Sequence, residues 1–356
     1  MTAGRRIAVV LLNLGGPDGP EAVRPFLQNL FSDPAILEVP GPVRWLLARL
    51  IASRRAGVAR ETFAKLGGGS PLLPNTEAQA AALAAELGDL GPIKVTIAMR
   101  YWHPLTEAAV ETVKAFGATE VVLLPLYPQF SGTTTGSSLK RWQDMARRAG
   151  LDLPTRAVCC YPDDAGFVGA SVSLILSALE VAAAKGAPRL LLSAHGLPKK
   201  TVARGDPYQV QVERSAAAIV AALKAEAPQW AGLDHVVCYQ SRVGPLEWLG
   251  PYTDAEIRRA ARDKRPIVLF PIAFVSEHSE TLVELDMEYR HVAEAEGAPA
   301  YLRVPTVSTS PGFIQGLART VRAALARPPG VASGPGTVIC PAGFARCAMQ
   351  AAGAAR

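Results

Sequence analysis

Short runs of apolar residues alternate with longer Ala-rich segments along nearly the whole chain. The apolar runs are rich in Val, Ile and Leu, and eight of them predict β-strands, at 7–14, 93–99, 120–126, 156–160, 190–194, 234–239, 266–272 and 301–304. The segments between them are amphipathic and predict helices, for example at 76–88, 106–116, 168–185 and 208–226. Strands that are apolar on both faces and separated by helices are typical of parallel βαβ units. The pattern therefore predicts an α/β fold of two doubly wound lobes, each a parallel sheet flanked by helices.

A chain of 356 residues is long enough for two domains of ordinary size. We predict an N-terminal lobe over 1–155 and a C-terminal lobe over 156–310. Residues 311–356 are expected to form a helix that packs back on the first lobe, followed by a short tail that contains cysteines. The stretch 328–339 is rich in Pro and Gly, which predicts a linker between that helix and the tail.

The net charge of +6 is a mild basic excess, which suits a polyanionic ligand, an anionic membrane surface or nucleic acid. A nucleic-acid partner is not expected, because the basic residues are local and no known binding module is present. The apolar run 7–14 leads into the turn sequence GGPDG, which favours a buried strand over a signal peptide. No apolar run approaches the roughly 18 residues of a membrane span. We expect a cytoplasmic protein, with peripheral contact at the inner face of the membrane as an open alternative.

Several predicted strands end in polar, aromatic or charged residues, and doubly wound folds bind ligands beyond these carboxyl ends. His195, in SAHGLP, is either a structural histidine at a strand end or a catalytic base or metal ligand. Chemistry driven by ATP or nicotinamide is not expected. There is no Walker A motif, and Pro17 and Asp18 interrupt the glycines of LGGPDGP.

An acidic segment follows the predicted strand 266–272. Glu277, Glu280, Glu284 and Glu288 are spaced by 3, 4 and 4 residues, which on an α-helix gives one stripe about 16 Å long. Such a stripe is either an ordinary solvated face or a set of carboxylates that handles a hard cation, since like charges at this spacing repel. If the strand ends are neighbours, His195 and Glu280 could together bind an Fe(II)-like metal or accept a proton.

A basic segment over 42–63 carries five arginines and no acidic residue before Glu61. As a helix it would be amphipathic, because Trp45, Leu46 and Leu50 supply apolar area. It fits an anionic membrane surface or an amphiphilic ligand with carboxylates, and also an ordinary surface helix. The segment alone does not choose among these.

Taken together, the motifs resemble those of the ferrochelatase family over nearly the whole chain. They are LLNLGGPDGPEAVRPFLQNLFSDP, LGGGSPL, RYWHPLTE, YPQFSGTTTGSS, SAHGLP, YQSRVGPLEWLGPYTD and PIAFVSEHSETLVELDMEY. The resemblance implies two similar Rossmann-like lobes around a porphyrin cleft. It also implies an ATP-independent lyase that inserts Fe(II), its substrate, into protoporphyrin IX with release of two protons, as the last step of haem synthesis.

By resemblance, His195 and Glu280 form the metal-site and proton-abstracting pair, while Glu277, Glu284 and Glu288 line a path for iron or protons. The positions that match the porphyrin pocket or its lip are Leu14, Arg54, Arg55, Phe63, Ser70, Arg100, Tyr101, Tyr127 and Trp248. A chelatase for coproporphyrin III or for another metal, and a haem or metal carrier without chemistry, remain as alternatives. The sequence makes no prediction of the oligomeric state.

Some relatives hold a [2Fe–2S] cluster on one internal and three C-terminal cysteines. The tail of this chain offers only Cys340 and Cys347, and Cys159 and Cys160 are the internal candidates. Four sulfurs are therefore present, but the third tail cysteine is missing. On balance we expect no cluster, with the alternative left open.

Overall fold

The computed structural model describes residues 4–354, in which nine strands form two parallel sheets. In chain order they are β1 (Ile7–Asn13), β2 (Ile93–Met99), β3 (Glu120–Pro125), β4 (Thr155–Val158), β5 (Arg189–His195), β6 (Asp234–Gln240), β7 (Ile267–Pro271), β8 (Tyr301–Arg303) and β9 (Gly330–Ala332). The first sheet has the order β2-β1-β3-β4-β9 and the second has the order β6-β5-β7-β8. The predicted α/β fold with two doubly wound lobes is confirmed.

Helices connect the strands and cover both faces of each sheet. They are α1 (Val23–Phe31), α2 (Gly41–Ala64), α3 (Leu72–Glu86), α4 (Thr106–Phe116), α5 (Ser137–Arg148), α6 (Ala165–Ala183), α7 (Lys199–Ala203), α8 (Tyr208–Glu226), α9 (Thr253–Arg262), α10 (Tyr289–Ala295), α11 (Pro311–Leu325) and α12 (Ala348–Ala354). Two further segments, Gly132–Gly136 and Glu280–Glu288, are π-helical.

The two lobes repeat one arrangement. In each, the first strand lies between the second and the third, and the fourth pairs with the third. In each, a π-helical segment follows the third strand, Gly132–Gly136 after β3 and Glu280–Glu288 after β7. The segment of the first lobe reads GTTTG and that of the second reads ETLVELDME. The second lobe thus places carboxylates where the first places small and hydroxyl side chains.

One apolar core joins the two lobes. Alternate residues of β1 (Ile7, Val9 and Leu11) and of β5 (Leu190, Leu192 and Ala194) belong to the same buried cluster, together with residues of α3, α6, α8 and α11. The opposite face of the first sheet packs on α4 and α5, and that of the second packs on α9 and α10. Both faces of the central strands are buried, which is why these strands read as continuous apolar runs.

The helix α6 is long and apolar enough to cross a membrane by length and composition, but one face of it packs on the protein core. It contacts α8 and α11, and its buried residues include Phe167, Val172 and Leu179. At Gly166 the backbones of α6 and α11 meet so closely that an added Cβ atom would lie 2.3 Å from the Gly312 carbonyl oxygen. This helix is therefore part of the core between the sheets.

The boundary predicted at 155/156 lies inside β4 (Thr155–Val158). The strand predicted at 156–160 is β4, and it pairs with β3 in the first sheet rather than belonging to the second lobe. The predicted linker 328–339 contains β9, which pairs with β4 at the edge of the first sheet. The helix α11 contacts α3 of the first lobe as well as α6. The chain thus returns to the first lobe after completing the second.

Candidate active site

His195 and Glu280 are joined at the carboxyl end of the second sheet. His195 is the last residue of β5, and its Nδ1 atom lies 2.8 Å from Oε2 of Glu280, the first residue of the π-helix Glu280–Glu288. The two side chains are 37% and 28% exposed, so the pair can be reached from solvent. The structure thus brings together the two residues that the sequence predicted as a metal and proton site.

A close backbone turn holds the imidazole in place. The N–H of Gly196 donates to the Gln240 carbonyl oxygen at the end of β6, 2.9 Å away. A Cβ atom at Gly196 would lie 2.9 Å from that oxygen and 3.2 Å from Cε3 of Trp248. Only glycine allows both contacts, so Gly196 fixes the turn and lets the indole of Trp248 lie beside it.

The contact between His195 and Glu280 shifts the pKa of both side chains. Burial lowers the pKa of His195, but the carboxylate charge and the hydrogen bond of Glu280, with a further contribution from Glu284, outweigh it and raise that pKa above 6.5. Burial raises the pKa of Glu280, but the positive charge of His195 and its hydrogen bond outweigh burial and hold that pKa well below 4.5. An imidazole that accepts a proton here is therefore stabilised by an ionised carboxylate.

The acidic segment is not the single α-helical stripe that the spacing predicted. Glu277 lies before the π-helix, and its Oε1 accepts hydrogen bonds from Arg303 Nη1 at 2.6 Å and from the N–H of Thr306 at 3.0 Å. Glu288 is exposed at the far end and forms an ion pair with Lys65 of α2, at 3.4 Å. Glu284 alone shares contacts with Glu280, so the four carboxylates do not form one row.

Glu284 is bound by groups that the sequence analysis did not single out. Its two oxygens accept hydrogen bonds from the N–H and the hydroxyl of Ser241, at 3.0 and 2.5 Å, and Oε1 also accepts from the Tyr289 hydroxyl at 3.1 Å. Burial and the charge of Glu280 raise the pKa of Glu284 above 4.5. A serine directly after a strand carries no periodic signal, which is why Ser241 was missed.

His278 is close to this site but buried. Its ring packs edge-on against Phe274, with 4.4 Å between ring centroids, and it contacts Thr281. Burial lowers the pKa of His278, so this imidazole stays neutral near pH 7. It supports the start of the π-helix and leaves His195 as the accessible imidazole.

Three residues matched to the porphyrin pocket by resemblance meet in the first lobe. Leu14, Phe63 and Tyr101 belong to one apolar cluster, which α1 and α2 complete. Leu14 follows β1, Tyr101 follows β2 and Phe63 lies near the end of α2. The carboxyl end of the first sheet therefore carries an apolar wall.

Asp33 organises this wall, and the sequence analysis missed it. It is almost fully buried, and its Oδ2 accepts hydrogen bonds from Arg100 Nη2 at 2.7 Å and from the Tyr101 hydroxyl at 2.7 Å, as well as from the Ser137 hydroxyl. The guanidinium of Arg100 and the phenol of Tyr101 are thus engaged within the protein. These contacts fix the positions of both side chains in the wall.

The remaining matched residues differ in exposure. Arg54 and Arg55 are exposed on α2. Ser70 is half-buried in the glycine-rich loop, where its Cβ and Oγ atoms leave no room for a side chain at Gly16.

The two matched aromatic residues outside this wall are Tyr127 and Trp248. Tyr127 follows β3, and burial raises the pKa of its phenol. Trp248 is half-buried, and its Nε1 donates to the Val243 carbonyl oxygen at 3.1 Å.

The carboxyl ends of the two sheets contact each other. Gln79 of α3 donates to the Val275 carbonyl oxygen after β7, at 2.9 Å. In the other direction, Gln129 after β3 donates to Ser215 of α8 at 2.8 Å, and Asp206 before α8 accepts from the N–H of Gly132 at 2.8 Å. These reciprocal hydrogen bonds direct the polar strand ends of both lobes toward a common region.

The four candidate cluster cysteines lie in one buried region under the tail. The Sγ atoms of Cys159 and Cys160 are 3.3 Å apart, and Cys340 accepts a hydrogen bond from Gln211 Nε2 at 3.1 Å. A hydrogen bond from Cys340 lowers the pKa of Cys347 to about 6. Over residues 4–354, however, no group of three or more His, Cys, Asp or Glu side chains is arranged to hold a metal ion.

Comparison with solved structures agrees with the architecture. SirB from Bacillus subtilis with Fe3+ has a TM-score of 0.52 and 14% identity to this chain, covering 90% of this chain and 96% of its own. The sirohydrochlorin chelatase SirB from Bacillus subtilis subspecies spizizenii, in complex with cobalt, has a TM-score of 0.51 at 11% identity. The shared fold is that of two-lobed chelatases, and this chain has an imidazole and a carboxylate at its strand ends.

Within that class, the family model named Ferrochelatase matches residues 6–325, and the chain belongs to the ferrochelatase family. A ferrochelatase of Caulobacter vibrioides is 52% identical over 346 residues, covering 96% of this chain and 97% of that protein. A ferrochelatase of Phenylobacterium zucineum is 51% identical, covering 98% of this chain and 100% of that protein. The chain is thus a metal chelatase of the lyase class, with a role in haem synthesis.

Proposed function

We propose that this protein inserts Fe(II) into protoporphyrin IX at His195 and Glu280, forming haem and releasing two protons. The observation that carries the proposal is the 2.8 Å contact between the two side chains at the carboxyl end of β5. A neutral imidazole and a carboxylate suit both Fe(II) binding and proton acceptance.

The reaction exchanges two pyrrole protons for one Fe(II) ion, with no change of oxidation state. A planar macrocycle hides its nitrogen lone pairs, so binding energy spent on bending the ring exposes them. His195 then accepts the two pyrrole protons one after the other as a general base, passing the first on through Glu280 before it takes the second, and the ionised Glu280 stabilises each imidazolium. Glu280 lies between His195 and Glu284, which is the direction in which we propose that protons leave.

We propose that the first lobe holds the macrocycle. Porphyrin is flat and apolar with carboxylates at one edge, so it requires apolar walls and a few polar anchors. Leu14, Phe63 and Tyr101 supply the wall. We propose that Tyr127 after β3, and Trp248 beside Gly196 of the second lobe, line the same pocket. We propose Arg54, Arg55 and Ser70 as candidate anchors for the carboxylates, together with Arg100, whose guanidinium Asp33 holds in place through Nη2.

We propose Glu284 and Glu288 as the route between the site and solvent. Glu288 is exposed and Glu284 is half-buried next to Ser241, so they lead inward along the π-helix. Glu277 is held by Arg303, whose side chain is only 9% exposed, and this pair supports the loop before the π-helix. We therefore propose a structural role for Glu277 rather than the path role expected from sequence.

Anaerobic mixing of the pure protein with Fe(II) and protoporphyrin IX tests the function directly. We expect haem to form well above the rate without protein, as followed by visible absorbance. Coproporphyrin III in the same assay is the matched comparison for substrate class, and a faster reaction with it would contradict protoporphyrin IX as the preferred substrate. Haem formation no faster than without protein would contradict the proposed function.

We further propose a cytoplasmic protein that touches an anionic membrane through α2. Val43, Trp45, Leu46 and Val58 on this helix are each more than 45% exposed, and the helix carries five arginines. Exposed apolar and basic residues on one helix favour binding at an anionic interface. Sedimentation with anionic vesicles should pull down the protein, whereas vesicles of neutral lipid should not.

For the cysteines under the tail we propose free thiols rather than a [2Fe–2S] cluster, because the described residues offer no set of three thiols arranged for a metal. We derive no step of the reaction through such a cluster. Anaerobically purified protein should lack the visible absorbance of an iron–sulfur centre, and a brown protein would contradict this proposal.

A further inference from the structure

Ser241 has an unusual backbone conformation at the end of β6. Its φ is +64°, and among the described residues only Lys264 and Ser308 share a positive φ without being glycine. Lys264 follows the end of α9, where left-handed residues are common. Ser241 follows a strand, and strain of this kind persists where neighbouring groups determine the conformation.

The conformation of Ser241 directs two donors at one carboxylate. Its N–H donates to Oε1 of Glu284 at 3.0 Å, and its hydroxyl donates to Oε2 of Glu284 at 2.5 Å. Both oxygens of Glu284 are therefore fixed by a single residue. The Tyr289 hydroxyl adds a third hydrogen bond, to Oε1, at 3.1 Å.

The same hydroxyl also reaches the catalytic pair. Its oxygen lies 3.4 Å from Oε2 of Glu280, the atom that contacts His195. A hydroxyl has one proton to donate and can rotate between two acceptors. Ser241 therefore contacts both Glu280 and Glu284. Through these contacts it connects the end of β6 to the π-helix.

We infer that Ser241 is a positioning residue, which holds Glu284 against Glu280 so that the two carboxylates act in sequence. The inference rests on the proposed function of His195 and Glu280 and adds an uncharged residue that acts through these carboxylates. Two carboxylates that repel each other require fixed donors to stay adjacent, and Ser241 supplies both donors from a rigid strand end.

Ser241→Gly is the sharpest variant, because glycine adopts a positive φ without strain and keeps the backbone N–H while it removes the hydroxyl. We expect kcat for haem formation to fall about ten-fold, since small misplacement of a reacting group is costly. We expect KM for protoporphyrin and the melting temperature to stay unchanged. A loss of stability without a loss of kcat would assign a merely structural role and overturn the inference.

Ser241→Asn provides the rescue. Asparagine tolerates a positive φ better than most residues and has two N–H donors, so it can hold both carboxylates. We expect its kcat to lie within about three-fold of that of the native protein. An Asn variant as slow as the Gly variant would contradict the positioning role.

Ser308→Gly is the matched control, because Ser308 also has a positive φ but contacts neither Glu280 nor Glu284 among the hydrogen bonds of the described residues. Its kcat should equal that of the native protein. If the native protein forms haem and Ser241→Gly does so equally fast, the inference fails while the proposed function stands. If the native protein forms no haem, the proposed function itself fails.

Discussion

His195 and Glu280 show how single residues acquire their properties from their partners. Glu280 raises the pKa of His195 against the effect of burial, and His195 lowers the pKa of Glu280 in return. Neither shift exists without the contact, because burial alone would neutralise both groups. The pair therefore stays in its charged form over a wider pH range than either residue would alone.

The pKa of His195 gives a direct test at this scale. In Glu280→Gln the carboxylate charge is gone while the ring remains partly buried, so the pKa of His195 should fall. Titration of the imidazole signals by NMR measures it. Glu288→Gln is the control, because Glu288 is exposed and paired with Lys65. An unchanged pKa in Glu280→Gln would show that the two side chains do not interact.

The sequence predicted the residues with chemistry of their own but not the residues that orient them. His195 and Glu280 were predicted because an imidazole and a carboxylate at strand ends are informative by type alone. Ser241 and Asp33 act through hydrogen bonds to partners 43 and 67 residues away along the chain. The local sequence pattern does not show such long-range contacts, so residue spacing could not predict the roles of Ser241 and Asp33.

At the scale of elements, the acidic segment folds differently from its pattern. Spacings of 3, 4 and 4 suit an α-helix, but Glu280–Glu288 is a π-helix that begins after Glu277. This wider helix places Glu280 and Glu284 beside Ser241 and leaves Glu277 to Arg303. Because π-helices are rare and their hydrogen bonds depend on tertiary contacts, the sequence favoured the commoner helix.

The contact between α6 and α11 gives a stability prediction for an element. In Gly166→Ala the new Cβ would lie 2.3 Å from the Gly312 carbonyl oxygen, so the helices must separate. We expect the free energy of unfolding to fall by about 3 kcal/mol, as for overpacked cores. Urea unfolding measures it.

Gly169→Ala is the matched control on the same helix. Nothing lies within 4 Å of a Cβ atom at this position, so alanine should stabilise α6 by about 0.5 to 1 kcal/mol. Equal effects of the two substitutions would show that the helices do not meet at Gly166.

At the scale of the whole molecule, the alternation of strands and helices was sufficient to predict two parallel α/β lobes. It did not predict β9, because three residues at a sheet edge carry little signal and their pairing with β4 spans most of the second lobe. The predicted domain boundary lies inside β4, because the local sequence pattern does not show that β4 pairs with strands of the first sheet. The first sheet carries the apolar wall at its carboxyl end, and the second sheet carries His195 and Glu280 at its carboxyl end.

We propose that the first lobe contributes most to porphyrin binding and that His195 of the second lobe acts in iron insertion. The apolar wall around Leu14, Phe63 and Tyr101 does not contain His195, so removal of the imidazole should leave the macrocycle bound. Removal of a general base typically costs 10²- to 10⁴-fold in rate. His235→Ala is the matched control, because His235 is exposed at the start of β6.

The most direct test is the rate of anaerobic haem formation by His195→Ala, measured beside its affinity for protoporphyrin IX from fluorescence titration. We expect kcat to fall by at least about 100-fold, with the dissociation constant of the porphyrin within about two-fold of the native value. A His195→Ala protein that forms haem at the native rate would contradict the central role of this residue.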